Sequence, residues 1–247
     1  MRVRSLLLTS LLFAGCGTAA AQDRAEVPTT PVPKPRSQAQ ATQDDPASLS
    51  GRHLTAEVIS RTWMRRTPNG RKIRLVGQET EFGSRHTLAV TARKDGWLRV
   101  HTPVMPNGRS AWIPEHRVTL DSTNFSIHVD RSARRLELRV KDDVVHTMRV
   151  AIGRPGNETP LGSFGVTDKI TITNPASPYG CCAVALTGHQ TKLVPGWIGG
   201  DRLAIHGTPV EASVGKPVSL GCLRARGADL RILMRRVPLG TPVFIRA

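Results

Sequence analysis

Phe125-Ser126-Ile127-His128-Val129, Leu136-Glu137-Leu138-Arg139-Val140 and Met148-Arg149-Val150-Ala151-Ile152 place an apolar side chain at every second position. Successive side chains of an extended chain leave opposite faces, so this period predicts strands with one buried side. Asp142-Asp143 stands between the second and third runs as a turn, which makes an antiparallel hairpin. Further strands are expected at Phe164–Val166, Ile170–Ile172, Ala183–Leu186, Leu203–His206 and Val243–Arg246. One helix is expected, with Asp229 as its cap, Leu230, Leu233, Met234 and Val237 on one face, and Pro238 as its stop. Upstream, the short apolar stretches Leu88–Val90, Trp97–Val100 and Ala111–Ile113 are separated by turn pairs such as Asp95-Gly96 and Asn107-Gly108. Such pairs favour tight hairpins because Gly tolerates positive φ. The fold class expected is therefore mainly β: a small barrel over 51–121, then a β-sandwich or barrel over 122–247 with one short helix.

The chain has 247 residues, with 35 Lys and Arg against 19 Asp and Glu, a formal charge of +16. The excess is +1 over residues 1–50, +8 over 51–120 and +7 over 121–247. Hydrophobic residues make up 39%, enough for ordinary cores, which excludes global disorder. The charge points to an acidic partner: nucleic acid, an anionic membrane or an acidic cell wall. The N-terminus narrows that choice. Arg2 and Arg4 precede a short apolar run from Leu6 to Ala14, followed by Gly15-Cys16-Gly17-Thr18 and Ala19–Ala21. A cationic start, an apolar middle and small residues form an export signal over 1–21, and the run is too short to span a bilayer. Two cleavage readings stand. Phe13-Ala14-Gly15-Cys16 resembles a bacterial lipoprotein box, which would leave a lipidated Cys16 at the mature N-terminus; the other is ordinary cleavage after Ala21. Either way the protein is expected in the periplasm or cell envelope, touching the membrane only through Cys16. Nucleic acid drops out as a partner, and the scattered Arg residues also lack the interleaved aromatics of a single-strand binder.

Residues 22–50 read as a disordered linker. Pro28, Pro31, Pro33 and Pro35 favour an extended spacer, and the Gln/Ala/Ser/Asp-rich remainder cannot bury enough surface to offset chain entropy.

The chemistry concentrates near the C-terminus. Ile205-His206-Gly207-Thr208 puts a His at the end of a strand, and after 15 intervening residues Ser219-Leu220-Gly221-Cys222-Leu223-Arg224 puts a Cys in a turn. A free Cys has a pKa near 8.5 and reacts as its thiolate. A neighbouring imidazole can lower that value or take the proton during attack. Gly221 would let the backbone approach a reacting carbonyl. N–H groups at Gly221 and Cys222 would then hold the developing oxyanion, worth roughly 3 kcal/mol per donor. Arg224 could brace the loop or bind a substrate carboxylate bidentately. On residue types and spacing alone, a buried structural Cys and a core His are the favoured reading.

These two segments resemble the signature of the YkuD-type L,D-transpeptidases, bacterial peptidoglycan cross-linking enzymes. Thr159-Pro160-Leu161-Gly162-Ser163-Phe164 resembles an upstream segment of the same family, and the likeness runs over about residues 124–246. Leu220 stands where many members carry a second His, and Ala225 replaces a commonly bulky apolar residue. The resemblance implies Cys222 as the acylated nucleophile and His206 as the base, with Gly207 following it and Ser219 supporting the turn. It also implies a reaction without a cofactor or metal: Cys222 attacks the third residue of a stem tetrapeptide and expels D-alanine. An amine of a neighbouring stem then takes the acyl group in a 3→3 cross-link. Water as acceptor would make an L,D-carboxypeptidase, and a protein amine would attach that protein to the wall. Asp95–Val100 with Asn107–Ile113 resembles bacterial SH3-like domains, implying a wall-binding or substrate-orienting module; the alternative is a packing domain whose Trp residues are core. A catalytically idle wall-binding protein is thus the competing function class.

Other candidates carry less. Cys181 and Cys182 are expected to be structural, with a vicinal disulfide, separate pairing or buried thiols open. His189 reads as an exposed loop residue, with a pocket role as the alternative. No Cys/His spacing resembles a zinc site, and no phosphate loop or nicotinamide fingerprint appears.

Overall fold

Turn chemistry shapes the first sheet of the structure, a computed structural model that describes residues 51–247 and the backbone of Ser48–Leu49. Asp95 and Gly96 have φ of 49° and 76° and join paired strands as a two-residue hairpin, the geometry their sequence announces. The strands are β1 (Ser48–Leu49), β2 (Arg52–Val58), β3 (Thr62–Arg65), β4 (Lys72–Val76), β5 (Thr87–Lys94), β6 (Trp97–Val100), β7 (Ala111–Pro114) and β8 (Val118–Thr123). They run in the order β1-β2-β5-β6-β7-β3-β4, with β8 also paired to β2. Its core is aliphatic: Met64, Leu88, Leu98, Val100 and Ile113 are fully buried or nearly so. The Trp residues are not core. Trp63 is exposed, Trp97 and Trp112 are half-buried, and Lys72 and Arg65 lie over the Trp63 and Trp97 rings at 5.2 and 5.7 Å. Alternation explains this, since Met64, Leu98 and Ile113 take the inner positions of the same strands.

Two boundaries differ from expectation. Ser48–Leu49, at the end of the stretch read as linker, pairs with β2, and β8 runs past residue 121 to Thr123. The export signal, Cys16 and the Pro cluster lie outside the described residues.

The second sheet follows with β9 (Phe125–Asp130), β10 (Arg135–Val140), β11 (Asp143–Arg149), β12 (Ile152–Gly153), β13 (Gly162–Thr171), β14 (Cys182–His189), β15 (Arg202–His206), β16 (Pro217–Ser219), β17 (Leu223–Arg224) and β18 (Pro242–Arg246). Eight of them form the order β11-β10-β9-β18-β13-β14-β15-β17, and β12 pairs with β16 apart. The two short strands expected within 164–172 are one strand, β13, interrupted by a bulge between Val166 and Asp168. The turn after β10 sits at Lys141, with φ 55°, and Asp143 already belongs to β11.

The single α-helix among the described residues, α1 (Gly227–Arg236), buries Leu230 and Leu233. Its N-cap is Arg226, not Asp229. Asp229 lies in the first turn, where a carboxylate suits the helix dipole, and pairs with His146 Nε2 at 3.1 Å. Leu230, Leu233 and Val237 complete a core with Ile127, Leu138, Phe164, Leu186 and Ile205.

At Gly188 in β14 an added Cβ would lie 2.7 Å from the Phe164 ring and 3.1 Å from Leu203. Gly188→Ala should cost about 1–3 kcal/mol of stability, read as a lower urea midpoint. An unchanged midpoint would show that the Phe164 ring has room to move.

Candidate active site

Strand register assembles the site. β15 and β17 pair in parallel, Ile205 opposite Leu223 and His206 opposite Arg224. Ile205 and Leu223 turn into the core. By alternation His206 and Arg224 share the other face, and Cys222, two residues before Arg224, shares it too. The three line one pocket of about 140 Å³, with Tyr179, Lys192, Trp197 and Asp201 among its other walls. The Cys is therefore diagonal to the His rather than opposite it. This explains a departure from expectation: the Cys222 thiol does not bond to His206, but points at the Arg202 carbonyl oxygen at 3.8 Å.

The imidazole is fixed at its other nitrogen. His206 Nδ1 lies 2.6 Å from the Gly207 carbonyl oxygen. Only a protonated Nδ1 can donate to a carbonyl, so in the neutral ring Nε2 is the free base. Tyr179 meets the ring edge-on at 4.8 Å between centroids. Burial pushes the His206 pKa down to about 4; the Gly207 bond opposes that shift and the Arg224 cation adds to it. Burial raises the Cys222 thiol, against the lowering effects of a main-chain hydrogen bond from Ala204 and of Arg224. The resting pair is thus a neutral thiol and a neutral imidazole, not an ion pair.

The nucleophile turn is held from three sides. Ser219 Oγ donates to the Cys222 carbonyl at 2.6 Å and accepts the Gly221 N–H at 3.0 Å. That second bond corrects the assignment of Gly221 as an oxyanion donor, because its N–H is already spent inside the turn. Thr159 Oγ1 donates to the Gly221 carbonyl at 2.8 Å, which gives the Thr159–Phe164 segment its role beside the site. Gln190 Nε2 donates to the Leu220 carbonyl at 2.9 Å and reaches the Asn157 and Glu158 carbonyls at 3.2 and 3.3 Å. Gly221 has φ 123°, and a Cβ there would fall 2.1 Å from Gln190 Nε2, so only glycine fits. Gln190, Tyr179 and Arg202 carry no sequence signal of their own; partnerships made across 20 to 30 residues give them their roles.

Arg224 joins the site through backbone bonds to Ala151 at 2.8 and 3.0 Å, while its buried Nε has no hydrogen-bond partner in the structure. That leaves a guanidinium at the pocket wall available to an anion. Ala225 is fully buried in the core. Cys181, Cys182 and Cys222 are all free thiols, so of the three states left open for Cys181 and Cys182 the structure shows unpaired thiols. Cys182 faces the core on β14, where burial, reinforced by Cys181, pushes its pKa up to about 12. Cys181 instead turns toward the Gly227 carbonyl at 4.0 Å. His189 is not an exposed loop residue. Its Nδ1 lies 3.0 Å from Asp201, and its Nε2 lies 2.7 Å from the Pro103 carbonyl of the first sheet.

A thiol and an oriented imidazole in a desolvated pocket lined by a cation are the parts of a nucleophilic cysteine site. Residues 124–245 match the family YkuD, the L,D-transpeptidase catalytic domain. A protein of Bacillus licheniformis named as the L,D-transpeptidase YkuD is 33% identical over 138 residues, covering 56% of this chain and 74% of that protein. Its namesake in Bacillus subtilis is 32% identical over 121 residues, covering 49% and 65%. Among solved structures, an L,D-transpeptidase from Mycobacterium tuberculosis H37Rv aligns with TM-score 0.41 and 19% identity, over 56% of this chain and 72% of that one. The chain belongs to the YkuD family and is an L,D-transpeptidase.

The neutral pair predicts a pH signature. Alkylation of Cys222 by iodoacetamide, followed by peptide mapping, should still be accelerating at pH 9, since the thiolate appears only above the ordinary thiol pKa. A plateau reached near neutral pH would mean a resting ion pair instead.

Proposed function

We propose that this enzyme cross-links peptidoglycan stem peptides through a thioester on Cys222, with His206 as the proton carrier. The observation that carries this reading is the single face shared by Cys222, His206 and Arg224 in one pocket. The thiol proton passes to His206 Nε2 as sulfur attacks the carbonyl of the third, diamino-acid residue of a tetrapeptide stem. The tetrahedral oxyanion takes the Cys222 N–H, since the Gly221 N–H is committed to Ser219. Collapse breaks the peptide bond, and the imidazolium returns its proton to the departing D-alanine amine. The acceptor amine of a neighbouring stem then attacks the thioester, its proton leaves through His206, and the thiol is restored in a 3→3 cross-link. Arg224 and Lys192, both on the pocket wall, are the groups that read stem-peptide carboxylates.

A neutral pair suits a substrate that excludes water on binding. Before that, neither partner carries a charge that the buried pocket must stabilise. The export signal over 1–21, with Cys16 as a lipidation site in one of its two readings, places the enzyme in the cell envelope. The basic excess over 51–247 then concentrates it on an acidic wall. The first sheet, with its SH3-like sequence, contributes the larger share of that charge for its length.

Incubation with a disaccharide tetrapeptide should release D-alanine and leave an acyl-enzyme mass on Cys222. Cys222→Ala should abolish both, and His206→Ala should slow acylation about 10²–10⁴-fold. A folded protein that yields neither D-alanine nor an acyl-enzyme would sink this assignment.

A further inference from the structure

Arg202 opens β15, the strand that ends on His206, and its two ends face different parts of the molecule. Its carbonyl oxygen is the acceptor of the Cys222 thiol at 3.8 Å. Its guanidinium, 14% exposed, reaches the other way. Nε and Nη2 donate to the Leu186 carbonyl at 3.1 and 2.8 Å, and Nη2 donates to Thr167 Oγ1 at 2.8 Å. Nη1 pairs with Glu81 of the first sheet's β4–β5 connection, and the guanidinium lies 5.7 Å over the neighbouring Phe82 ring. One residue thus ties the first sheet to the main-chain oxygen that orients the nucleophile.

A second tie sits directly across the ladder. His189 is the register partner of Arg202. Its backbone exchanges both hydrogen bonds with the Asn107 amide, N–H to Oδ1 at 2.9 Å and carbonyl from Nδ2 at 2.7 Å. Between these two residues runs the 190–201 segment, which supplies much of the pocket wall. Both feet of that segment therefore stand on the first sheet. Neither contact lies on the outer face that carries Trp63, Trp97 and Trp112. The carboxylate–guanidinium pair, whose Arg202 side is buried, and the two-way amide pair are directional, the kind of contact that fixes geometry rather than merely adding area.

We propose that the N-terminal sheet is a positioning module of the transpeptidase site: Glu81 through Arg202, and Asn107 through His189, hold the pocket-lining segment and the carbonyl that receives the Cys222 thiol. Glu81 and Asn107 are positioning residues, remote from the reacting atoms. The proposal rests on the assignment of Cys222 as nucleophile, and its test reads the thiol independently of turnover.

The full chain carries Glu81→Ala, Asn107→Ala or both, with Arg93→Ala as a control. Arg93 pairs with Glu115 at 2.8 Å on the same sheet, away from these contacts. Two measurements follow circular dichroism: the pH profile of Cys222 alkylation by iodoacetamide, and the kinetics of D-alanine release from a disaccharide tetrapeptide. The folded double variant should shift the alkylation profile and lose about ten- to a hundredfold in kcat/KM, with donor KM raised by the loosened segment. Glu81→Gln, which keeps an acceptor for Arg202, should recover most of the Glu81→Ala loss, and Arg93→Ala should match the parent. Profiles and KM within about twofold of the parent in the double variant would overturn the proposal. Where the double variant does not fold, each single variant carries the same two outcomes. If Cys222→Ser still releases D-alanine, the nucleophile assignment fails instead, and the alkylation profile continues to decide whether the sheet positions this thiol.

Discussion

The turn that carries Cys222 exists because Gly221 adopts φ 123° with the Gln190 amide pressed where a side chain would be. Gln190 is nearly buried, and its amide bridges the Leu220 carbonyl to the carbonyls of Asn157 and Glu158. A buried carbonyl left unpaired costs about 1–3 kcal/mol, so this single amide removes a penalty that would otherwise unwind the turn. Thr159 and Ser219 satisfy the neighbouring carbonyls of Gly221 and Cys222. With every carbonyl from Leu220 to Cys222 engaged, β17 can start at Leu223 in register with β15. That register puts the thiol on the same face as the imidazole.

Burial serves two ends at once. The desolvation that locks these polar contacts also keeps the thiol protonated and the imidazole neutral, so the site rests without internal charge. An ion pair would have needed a solvated or anion-lined environment to hold the imidazolium. Arg224 acts on the His206 equilibrium and disfavours a second cation. The same Arg224 favours negative charge on the sulfur. Burial still holds the resting thiol protonated, but Arg224 favours negative charge over a second cation, which suits a reaction whose charge builds on the substrate oxygen.

The sequence made part of this legible. Alternation over Phe125–Val129 and Leu136–Val140 survives as β9 and β10, because each strand buries one face against a single aliphatic core. His206 and Cys222 could be singled out because strand ends and tight glycine turns leave local marks. Gln190 and Arg202 leave none, since a polar residue after a buried strand looks the same whether it faces water or holds a turn 30 residues away. The state of Cys181 and Cys182 is not legible for a related reason. Both pack at one core, Cys182 within it and Cys181 at its edge near the Gly227 carbonyl, and adjacency in sequence does not decide whether two such thiols join. For the Trp residues it is the alternative reading as core that fails, because strand parity sends Trp63, Trp97 and Trp112 outward.

That outward placement separates two surfaces of the first sheet. Its connections, at Glu81 and at Pro103–Asn107, grip β14 and β15, whereas its outer face keeps indoles stacked beneath Lys72 and Arg65. Cations over indoles stay hydrated on one side and available to an anionic surface. A polyanion drawn to that face would meet a charge layer that shares strands, but no side chains, with the contacts on His189 and Arg202. Attraction to an acidic surface and alignment of the thiol are compatible in one small sheet. Strand alternation is what permits it: the inner positions fill the core, the outer positions carry the charge, and β5 together with the loops meets the second sheet.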